Sequence, residues 1–241
     1  MDNYDFNYIK WQKWNEYTFG NLSKDKYFYF KKVIEKIKIS NDQIPSKILE
    51  IGFGNGEFLN FARKQTWEID GIEINEILLN KAIKEGYNSY KSIKEVLETK
   101  KKYDLVFAFD VLEHLDDIEI DKLFLSLKKL LNDNGSFVAR FPNGDSPFSL
   151  PIQNGDATHL TSIGSGKILY LVSKYKLEPI YIGNDITPIF NTSLLKILQR
   201  IISLPIKFLI NLVVNIIFFP GDMLRINFTS KNLLIVLKNS V

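Results

Sequence analysis

The stretch Lys47-Ile-Leu-Glu-Ile-Gly-Phe-Gly-Asn-Gly-Glu57 joins a short apolar run to three glycines at alternate positions, Gly52, Gly54 and Gly56. Glycine has no Cβ, so such a loop can adopt positive φ and bring main-chain N–H groups close to an anionic group at the start of the following helix. A dinucleotide fingerprint, G-x-G-x-x-G, would need its third glycine at position 57, where this chain has Glu57. The stretch therefore predicts a strand, a ligand-binding loop and a helix, with a G-x-G-x-G spacing.

Two further apolar runs end in acidic residues. The run at 68–74 contains Glu73, which lies 21 positions after Gly52, and the run at 103–109 is followed directly by Asp110. Strand and helix patterns alternate from residue 44 onward, which predicts right-handed βαβ crossovers and a parallel sheet covered on both faces. Because ligands bind at the carboxyl ends of such strands, we expect these acids and the glycine loop to line one crevice.

Together these features resemble the class I S-adenosylmethionine (SAM)-dependent methyltransferases over about residues 44–143. The glycine loop is similar to motif I of that family, and Asp110-Val-Leu-Glu-His-Leu115 is similar to its segment after the fourth strand. Residues 131–138 look like the entry to its fifth strand. The resemblance implies an α/β fold with a doubly wound, seven-stranded, mostly parallel sheet, Rossmann-like, and SAM as cofactor.

The resemblance also implies roles for individual residues. The three glycines would wrap the amino-acid end of SAM, while Glu50 would orient the loop or reach the ammonium group. Glu73 would hold the ribose, and Asp110 with Val111 would line the methionine side. The cofactor-binding set is Glu50, Gly52, Gly54, Gly56, Glu73, Ile74, Ser92, Ile93, Asp110, Val111 and His114.

One part of this set departs from the family pattern. The family often has an acidic residue before the position that contacts adenine, whereas this chain reads Tyr90-Lys-Ser-Ile-Lys94. Ser92 and Ile93 are the adenine-contacting candidates at that point.

Composition limits the class of protein. The chain has 241 residues, 45% of them apolar, and its net charge of +3 arises from 31 basic and 28 acidic residues. That length suits one α/β domain, and so balanced a charge disfavours nucleic acid as a partner. The absence of cysteine excludes disulfides, thiolate metal sites and a cysteine nucleophile. The start, Met1-Asp-Asn-Tyr, lacks the basic and apolar regions of a secretory signal, so we expect a cytoplasmic location.

We expect a single domain, residues 1–241, with five parts. An N-terminal helical lid (1–43) precedes the SAM-binding core (44–143), and a substrate loop and strand (144–188) follow it. An apolar helical insert (189–231) then leads to the last, antiparallel strand (232–238). Aromatic stripes such as the one in this first part are more often packing than function; its residues are Tyr8, Trp11, Trp14, Tyr17 and Phe19. Tyr8, Trp11 or Trp14 would nevertheless suit a lid over the cofactor cleft.

The apolar insert is long enough to raise the question of a transmembrane helix, since 201–219 contains one charge, Lys207. Its polar residues recur every three or four positions and so form one stripe, which a spanning helix would not need. Pro205 is the expected kink. Three interpretations remain: a helix packed on the domain, a homodimer interface, or an amphipathic helix on a membrane surface. We favour packing or dimerisation. The polar stripe comprises Lys196, Arg200, Ser203, Lys207, Asn211 and Asn215.

The two histidines narrow the search for a catalytic base. His159 lies in a polar loop with Asp156 three residues before it, which would suit a general base oriented by a carboxylate. His114 follows the fourth strand, where a structural or cofactor-side role is favoured. Asp145 and Asp156 could instead hold a divalent cation with His159, but this spacing does not indicate three ligands, and no metal is predicted.

The expected function is SAM-dependent O-methylation of a small polar metabolite, a sugar or a nucleotide-linked or phosphorylated precursor of a bacterial surface polysaccharide. The loop at 156–161 resembles that of methyltransferases that accompany glycan biosynthesis. The alternatives are an N- or C-methyltransferase of an apolar quinone or lipid, a non-catalytic SAM-binding partner subunit, and a nicotinamide dehydrogenase. The missing glycine at position 57 and the lack of an evident Tyr/Lys proton-donating pair weigh against the dehydrogenase.

Overall fold

A computed structural model of the chain describes residues 9–12, 14, 18–38, 46–188, 193–220 and 227–239. The expectations for Tyr8 and Tyr17 lie outside these ranges. The helices are α1 (Lys24–Lys38), α2 (Glu57–Lys64), α3 (Glu76–Lys84), α4 (Ile93–Glu98), α5 (Asp117–Leu130), α6 (Leu150–Gln153), α7 (Ser165–Tyr175) and α8 (Leu194–Phe218). The strands are β1 (Lys47–Ile51), β2 (Glu68–Ile72), β3 (Asn88–Tyr90), β4 (Tyr103–Phe109), β5 (Leu131–Pro142), β6 (Glu178–Asn184) and β7 (Asn232–Lys238).

The seven strands form one sheet in the order β3-β2-β1-β4-β5-β7-β6. The pairs among β1 to β5 are parallel, whereas β7 runs antiparallel to both β5 and β6. This arrangement confirms the doubly wound, mostly parallel sheet and its antiparallel last strand. It also differs from the six-stranded dinucleotide-binding sheet, order 3-2-1-4-5-6, in the added β7. The topology gives no support to the dehydrogenase alternative.

The central strands β1, β4 and β7 bury side chains on both faces of the sheet, which is why they read as largely apolar runs. In β4, Leu105 and Phe107 join a core with helices α1 to α3, where Phe30 and Phe58 lie. Val106 of the same strand faces a second core formed with α4, α5 and α7. Each fully buried side chain of this size contributes about 1.5–3 kcal/mol, so the two cores fix the sheet that positions the loops.

Most element bounds agree with the sequence pattern, and β5 is the exception. The pattern predicts a strand from Ser136, but the chain is already extended at Leu131, which pairs with Tyr103. The register then shifts at an irregularity between Tyr103 and Leu105 before Ser136 pairs with Leu105, and Asn134 in this part of β5 has a φ of 64°. Helix α5 ends at Leu130, within one residue of the end at Leu131 that the apolar pattern predicts.

Helix α8 differs most from expectation. It runs through Pro205 within the helix, and none of its residues is buried. Its polar stripe faces the domain: Lys196 pairs with Asp25 at 3.0 Å, and Asn211 Oδ1 accepts the main-chain N–H of Thr229 at 2.9 Å. The apolar face therefore does not pack on the described part of the domain. Judged by length and composition alone, α8 is long enough and apolar enough to cross a membrane.

Candidate functional site

The glycine loop has the backbone conformation that its spacing predicts. Gly52, Gly54 and Gly56 have φ angles of 69°, 50° and 71°, which L-residues with a side chain rarely adopt. A Cβ on Gly52 would lie 2.6 Å from Val111 Cγ2, and one on Gly54 would lie 2.8 Å from the ring of Trp14. Glycine is thus required twice over, by conformation and by space.

Trp14 is the lid candidate that contacts this loop, since its ring lies against Gly54, whereas Trp11 is exposed. The segment at 18–20 docks on the same loop. The side chain of Asn55 donates to the carbonyl of Thr18 at 2.7 Å, and the N–H of Gly20 donates to the carbonyl of Asn55 at 2.6 Å. The described residues at 14 and 18–20 of the N-terminal segment therefore pack against the glycine loop.

Glu73 ties the glycine loop to the end of β2. Its Oε2 accepts the main-chain N–H of Gly54 at 2.8 Å, and its Oε1 accepts that of Asn75 at 2.9 Å. Ile74, the residue between Glu73 and Asn75 in the chain, is 77% exposed at the same strand end. The carboxylate thus lies where the sequence places it, and its contact with ribose remains a prediction.

Glu50 is a buried carboxyl group beneath the loop, and its Oε2 has no hydrogen-bond partner. Burial, and next the negative charge of Glu73, raise the pKa of Glu50 well above its ordinary value. Such a group is costly to ionise unless a cation approaches it. Gly56, the N-cap of α2, also provides no side-chain cap, and main-chain N–H groups at a helix start are suited to an anion. A ligand with both an ammonium and a carboxylate group fits this pair of features.

Ser92 and Ile93, the residues predicted to contact adenine, both make structural contacts within the protein. Ser92 caps α4, because its Oγ accepts the N–H of Glu95 at 3.3 Å. Ile93 is half-buried and packs against the core beside α5. Their contact with adenine remains a prediction.

Asp110 forms a two-point ion pair that sequence analysis missed. Arg140, near the end of β5, donates from Nε to Asp110 Oδ1 at 2.9 Å and from Nη2 to Asp110 Oδ2. Asp110 has a φ of 56°, and the guanidinium also lies 5.2 Å from the ring centre of Tyr29. The available signal was that Arg140 is the one polar residue in the apolar run at 137–142. The role of Asp110 on the methionine side of the cleft remains a prediction.

The substrate loop docks on the turn that follows β4. The carbonyl of Glu113, in the 3₁₀ turn Leu112–His114, accepts the N–H groups of Leu160 at 2.8 Å and Thr161 at 3.2 Å. His114 Nδ1 lies 2.8 Å from Thr158 Oγ1. The docking brings the rings of His114 and His159 together, with their centres 4.8 Å apart.

The ring of His159 is positioned by a carbonyl group. Its Nδ1 lies 3.0 Å from the carbonyl oxygen of Gln153, which assigns the proton to Nδ1 and leaves Nε2 as the basic nitrogen. Asp156 Oδ2 lies 3.8 Å from Nε2, beyond hydrogen-bond distance. The other oxygen of Asp156 accepts the N–H and the hydroxyl of Thr158, at 2.9 and 2.6 Å. Asp156 therefore shapes the loop, and the expected orienting hydrogen bond comes from Gln153 instead.

Glu113, His114 and His159 bring their nitrogen and carboxylate atoms within 4.8 Å of one another. These are ligand types that divalent transition metals accept. Burial, and next the charge of Asp110, raise the pKa of Glu113 well above its ordinary value, while burial and His159 lower the pKa of His114. In this environment Glu113 favours its protonated form, which is a poor ligand, and His114 favours its neutral form. Asp145, the other metal candidate, instead accepts the N–H and hydroxyl of Ser165, at 2.8 and 2.6 Å.

Known proteins match both the sequence and the fold. A family model described as a methyltransferase domain matches residues 23–173. The ubiquinone biosynthesis O-methyltransferase of Rickettsia bellii (strain OSU 85-389) is 28% identical over 138 residues, 54% of this chain and 57% of that protein. The enzyme of the same description from Rickettsia typhi is 27% identical over 138 residues, covering 54% and 55% of the two chains. The chain thus spans little more than half the length of these curated relatives.

Two solved structures share the fold across nearly the whole chain. A SAM-dependent methyltransferase from Archaeoglobus fulgidus superimposes with a TM-score of 0.60 at 22% identity, covering 98% of this chain and 100% of that one. The plantazolicin methyltransferase BpumL, solved with a pentazolic desmethylPZN analog and SAH, gives 0.62 at 17% identity, covering 98% and 89%. At these identities the likeness concerns the fold.

Proposed function

The chain belongs to the methyltransferase domain family, with SAM as its cofactor, and on this premise we propose that it O-methylates a phenol-type hydroxyl group on an apolar small molecule. The observation behind this proposal is the imidazole of His159. Its Nδ1–H is directed to the Gln153 carbonyl at 3.0 Å, so Nε2 is the nitrogen that can take up a proton.

The cofactor and the acceptor would be held by different parts of the cleft. Bound SAM supplies an electrophilic methyl group on a sulfonium centre. The glycine loop and Glu50 fit its amino-acid end, and Glu73 suits its ribose. Trp14, against Gly54, would limit the access of water to this end. His159 would accept the acceptor's hydroxyl proton at Nε2, which raises the nucleophilicity of the oxygen; the rest of catalysis is positioning.

Two observations support a phenol-type acceptor. A phenol, with a pKa of about 10, loses its proton to a neutral imidazole more readily than the much less acidic hydroxyl of a sugar. The segment at 147–161, which contains the loop of His159, also exposes three large apolar side chains, those of Phe148, Leu150 and Leu160. Their exposure suits an apolar acceptor. The relatives named above are O-methyltransferases by description, in agreement with an oxygen acceptor.

A sugar acceptor, expected from the sequence, is the second candidate. The polar loop at 154–161 that carries His159 favours it. The hypothesis of a polysaccharide precursor rests on the resemblance of that loop alone.

The test is a methyl-transfer screen with purified protein and SAM. Alkyl-substituted phenols and catechols, nucleotide sugars and sugar phosphates are incubated separately, and formation of S-adenosylhomocysteine (SAH) is measured with the mass of the product. We expect a methyl ether of a phenol, lost in His159→Gln while SAH binding is retained. Methylation of a sugar, or of nitrogen or carbon, would overturn the proposed acceptor, and unchanged turnover in the variant would overturn the base.

A further inference from the structure

Helix α8 exposes an outer face of unusual width. At about 100° per residue, its large exposed apolar side chains, apart from Phe218, cover about 200° of the helix circumference. Leu195, Ile202 and Leu209 mark the middle of this outer face at seven-residue intervals. An ordinary surface helix buries an apolar stripe against its own domain and exposes its polar side. In α8 this orientation is reversed.

The polar stripe on the opposite side fixes the reversed orientation. Near its start, Lys196 pairs with Asp25 of α1 at 3.0 Å, and Arg200 donates to the carbonyl of Pro188. Near its end, Asn211 accepts the N–H of Thr229 at 2.9 Å. These contacts are fifteen residues apart along the helix, so α8 lies along the domain and turns its outer face away from it.

The path of the chain excludes a simple transmembrane span. β6 ends at Asn184 and β7 begins at Asn232, and Asn184 is paired with Leu233 beside it in the sheet. The chain thus leaves and re-enters the sheet at one point. A span would place the end of α8 about 37 Å from its start, across the bilayer, and would draw Asn211 away from Thr229. The contacts require a helix parallel to the surface on which it lies.

We propose that the outer face of α8 docks on a lipid bilayer, with the helix lying in the membrane plane at the boundary between headgroups and acyl chains. An apolar arc of about 200° is wider than the seam that one partner helix covers, and a continuous hydrocarbon phase can cover all of it. The helix has no acidic residue, so no charge on it repels anionic headgroups.

The segment that follows α8 contacts residues next to the substrate loop. The hydroxyl of Ser146 donates to the carbonyl of Phe228 at 2.6 Å, and the rings of Phe148 and Phe228 lie 5.9 Å apart, edge to face. Phe228 belongs to the segment that follows α8, and Phe148 is exposed beside the substrate loop. The proposal does not depend on which acceptor is methylated.

The test is flotation of the full chain with vesicles of phosphatidylethanolamine and phosphatidylglycerol, using two matched double variants. Ile202→Glu/Leu209→Glu places charges on the outer face, at residues that are 65% and 58% exposed. Ile118→Glu/Leu125→Glu makes the same changes at the same spacing on α5, at residues that are 65% and 53% exposed. SAH binding by each variant confirms that it is folded.

We expect the wild type and the α5 variant to float, and the α8 variant to lose binding by about tenfold or more, because charges near the hydrocarbon are costly. Binding should persist in about 1 M salt, where purely electrostatic attraction is screened. Equal flotation of both variants, or no flotation of the wild type, would overturn the proposal. A dimer seen by light scattering that only the α8 variant loses, without flotation, would assign the outer face to a second copy of the chain.

Discussion

The main-chain N–H of Gly54 donates a 2.8 Å hydrogen bond to Oε2 of Glu73, which joins the loop after β1 to the end of β2. One carboxylate thus holds the loop in shape and lies at the position expected of a ribose ligand. The structure of the loop and the affinity for the cofactor should consequently depend on the same side chain.

Replacing Glu73 with Ala should weaken SAH binding by about tenfold to a hundredfold, since a hydrogen bond to a charged group is worth about 1.5–3 kcal/mol. Isothermal titration of both proteins with SAH measures this effect, and a separate titration with NAD compares the two cofactors. Glu85→Ala is the control, because Glu85 forms an ion pair with Lys81 on the protein surface. An unchanged Kd in Glu73→Ala, or preferential binding of NAD, would contradict the assigned cofactor site.

Gly52→Ala should destabilise the protein more than Gly86→Ala. Both residues have positive φ, 69° and 80°, but a Cβ at Gly86 meets nothing within 4 Å, whereas one at Gly52 approaches Val111 Cγ2. Gly86→Ala should cost about 1–2 kcal/mol from backbone conformation, and Gly52→Ala about 1–3 kcal/mol more from the contact. Adding Val111→Ala should recover part of that difference in denaturant unfolding; no recovery would mean that the contact is not the cause.

His159→Gln should lower kcat by about a hundredfold to ten-thousandfold, the range associated with a positioned base, and should leave SAH affinity unchanged. Asp156→Asn should lower kcat less than about tenfold, because Asp156 bonds Thr158 and lies 3.8 Å from the imidazole nitrogen. Steady-state kinetics on the acceptor found in the screen compare the two variants. Equal losses would restore Asp156 as the partner of His159.

Treatment with a chelator should leave methyl transfer unchanged. Although Glu113, His114 and His159 place donor atoms within 4.8 Å, burial and the charge of Asp110 raise the pKa of Glu113 and so favour its neutral form. Activity is measured after incubation with EDTA and dialysis, then after addition of Mg²⁺ or Zn²⁺. Loss of activity that a metal restores would assign His159 to a metal site and remove it as the base.

Glu50 should make the cofactor-free protein less stable as the pH rises. Burial, followed by the charge of Glu73, raises its folded-state pKa, so its contribution is fully present below the ordinary value of about 4.3 and is lost as the pH rises through the folded pKa. The melting temperature of Glu50→Gln relative to wild type should therefore increase between about pH 5 and about pH 8. Glu98→Gln, at an exposed residue of α4, is the control. A constant difference between Glu50→Gln and wild type would show that Glu50 does not titrate there.

The fold and the conformation of the glycine loop were predictable because local pattern determines them. The spacing of Gly52, Gly54 and Gly56 indicates a loop whose glycines have positive φ. The position of Glu73 at a strand end follows from the spacing of consecutive parallel strands. The pairing of Asp110 with Arg140 was not predictable, since it depends on which strand lies next to β4 in the sheet. A spacing of three residues likewise suggested that Asp156 orients His159, but the turn at 153–159 presents the Gln153 carbonyl to that ring instead.

The orientation of α8 was beyond sequence analysis for a different reason. Periodicity separates a polar stripe from an apolar face, and it does not say which of them turns toward the domain. The contacts of Lys196 with Asp25 and of Asn211 with Thr229 decide that question, and both join residues from separate parts of the chain.

The place of β7 between β5 and β6 has a consequence for the order of folding. β7 follows the other six strands in sequence, yet its residues Leu233 to Leu237 are completely enclosed by the two cores. During synthesis, β6 and α8 leave the ribosome before the strand that joins β6 to the rest of the sheet. Until β7 inserts, β6 has no neighbour with which to pair in this topology, and the apolar α8 is exposed to chaperones or to a membrane. Completion of this sheet is therefore a late, long-range event, and the nascent chain should be most prone to aggregation just before it.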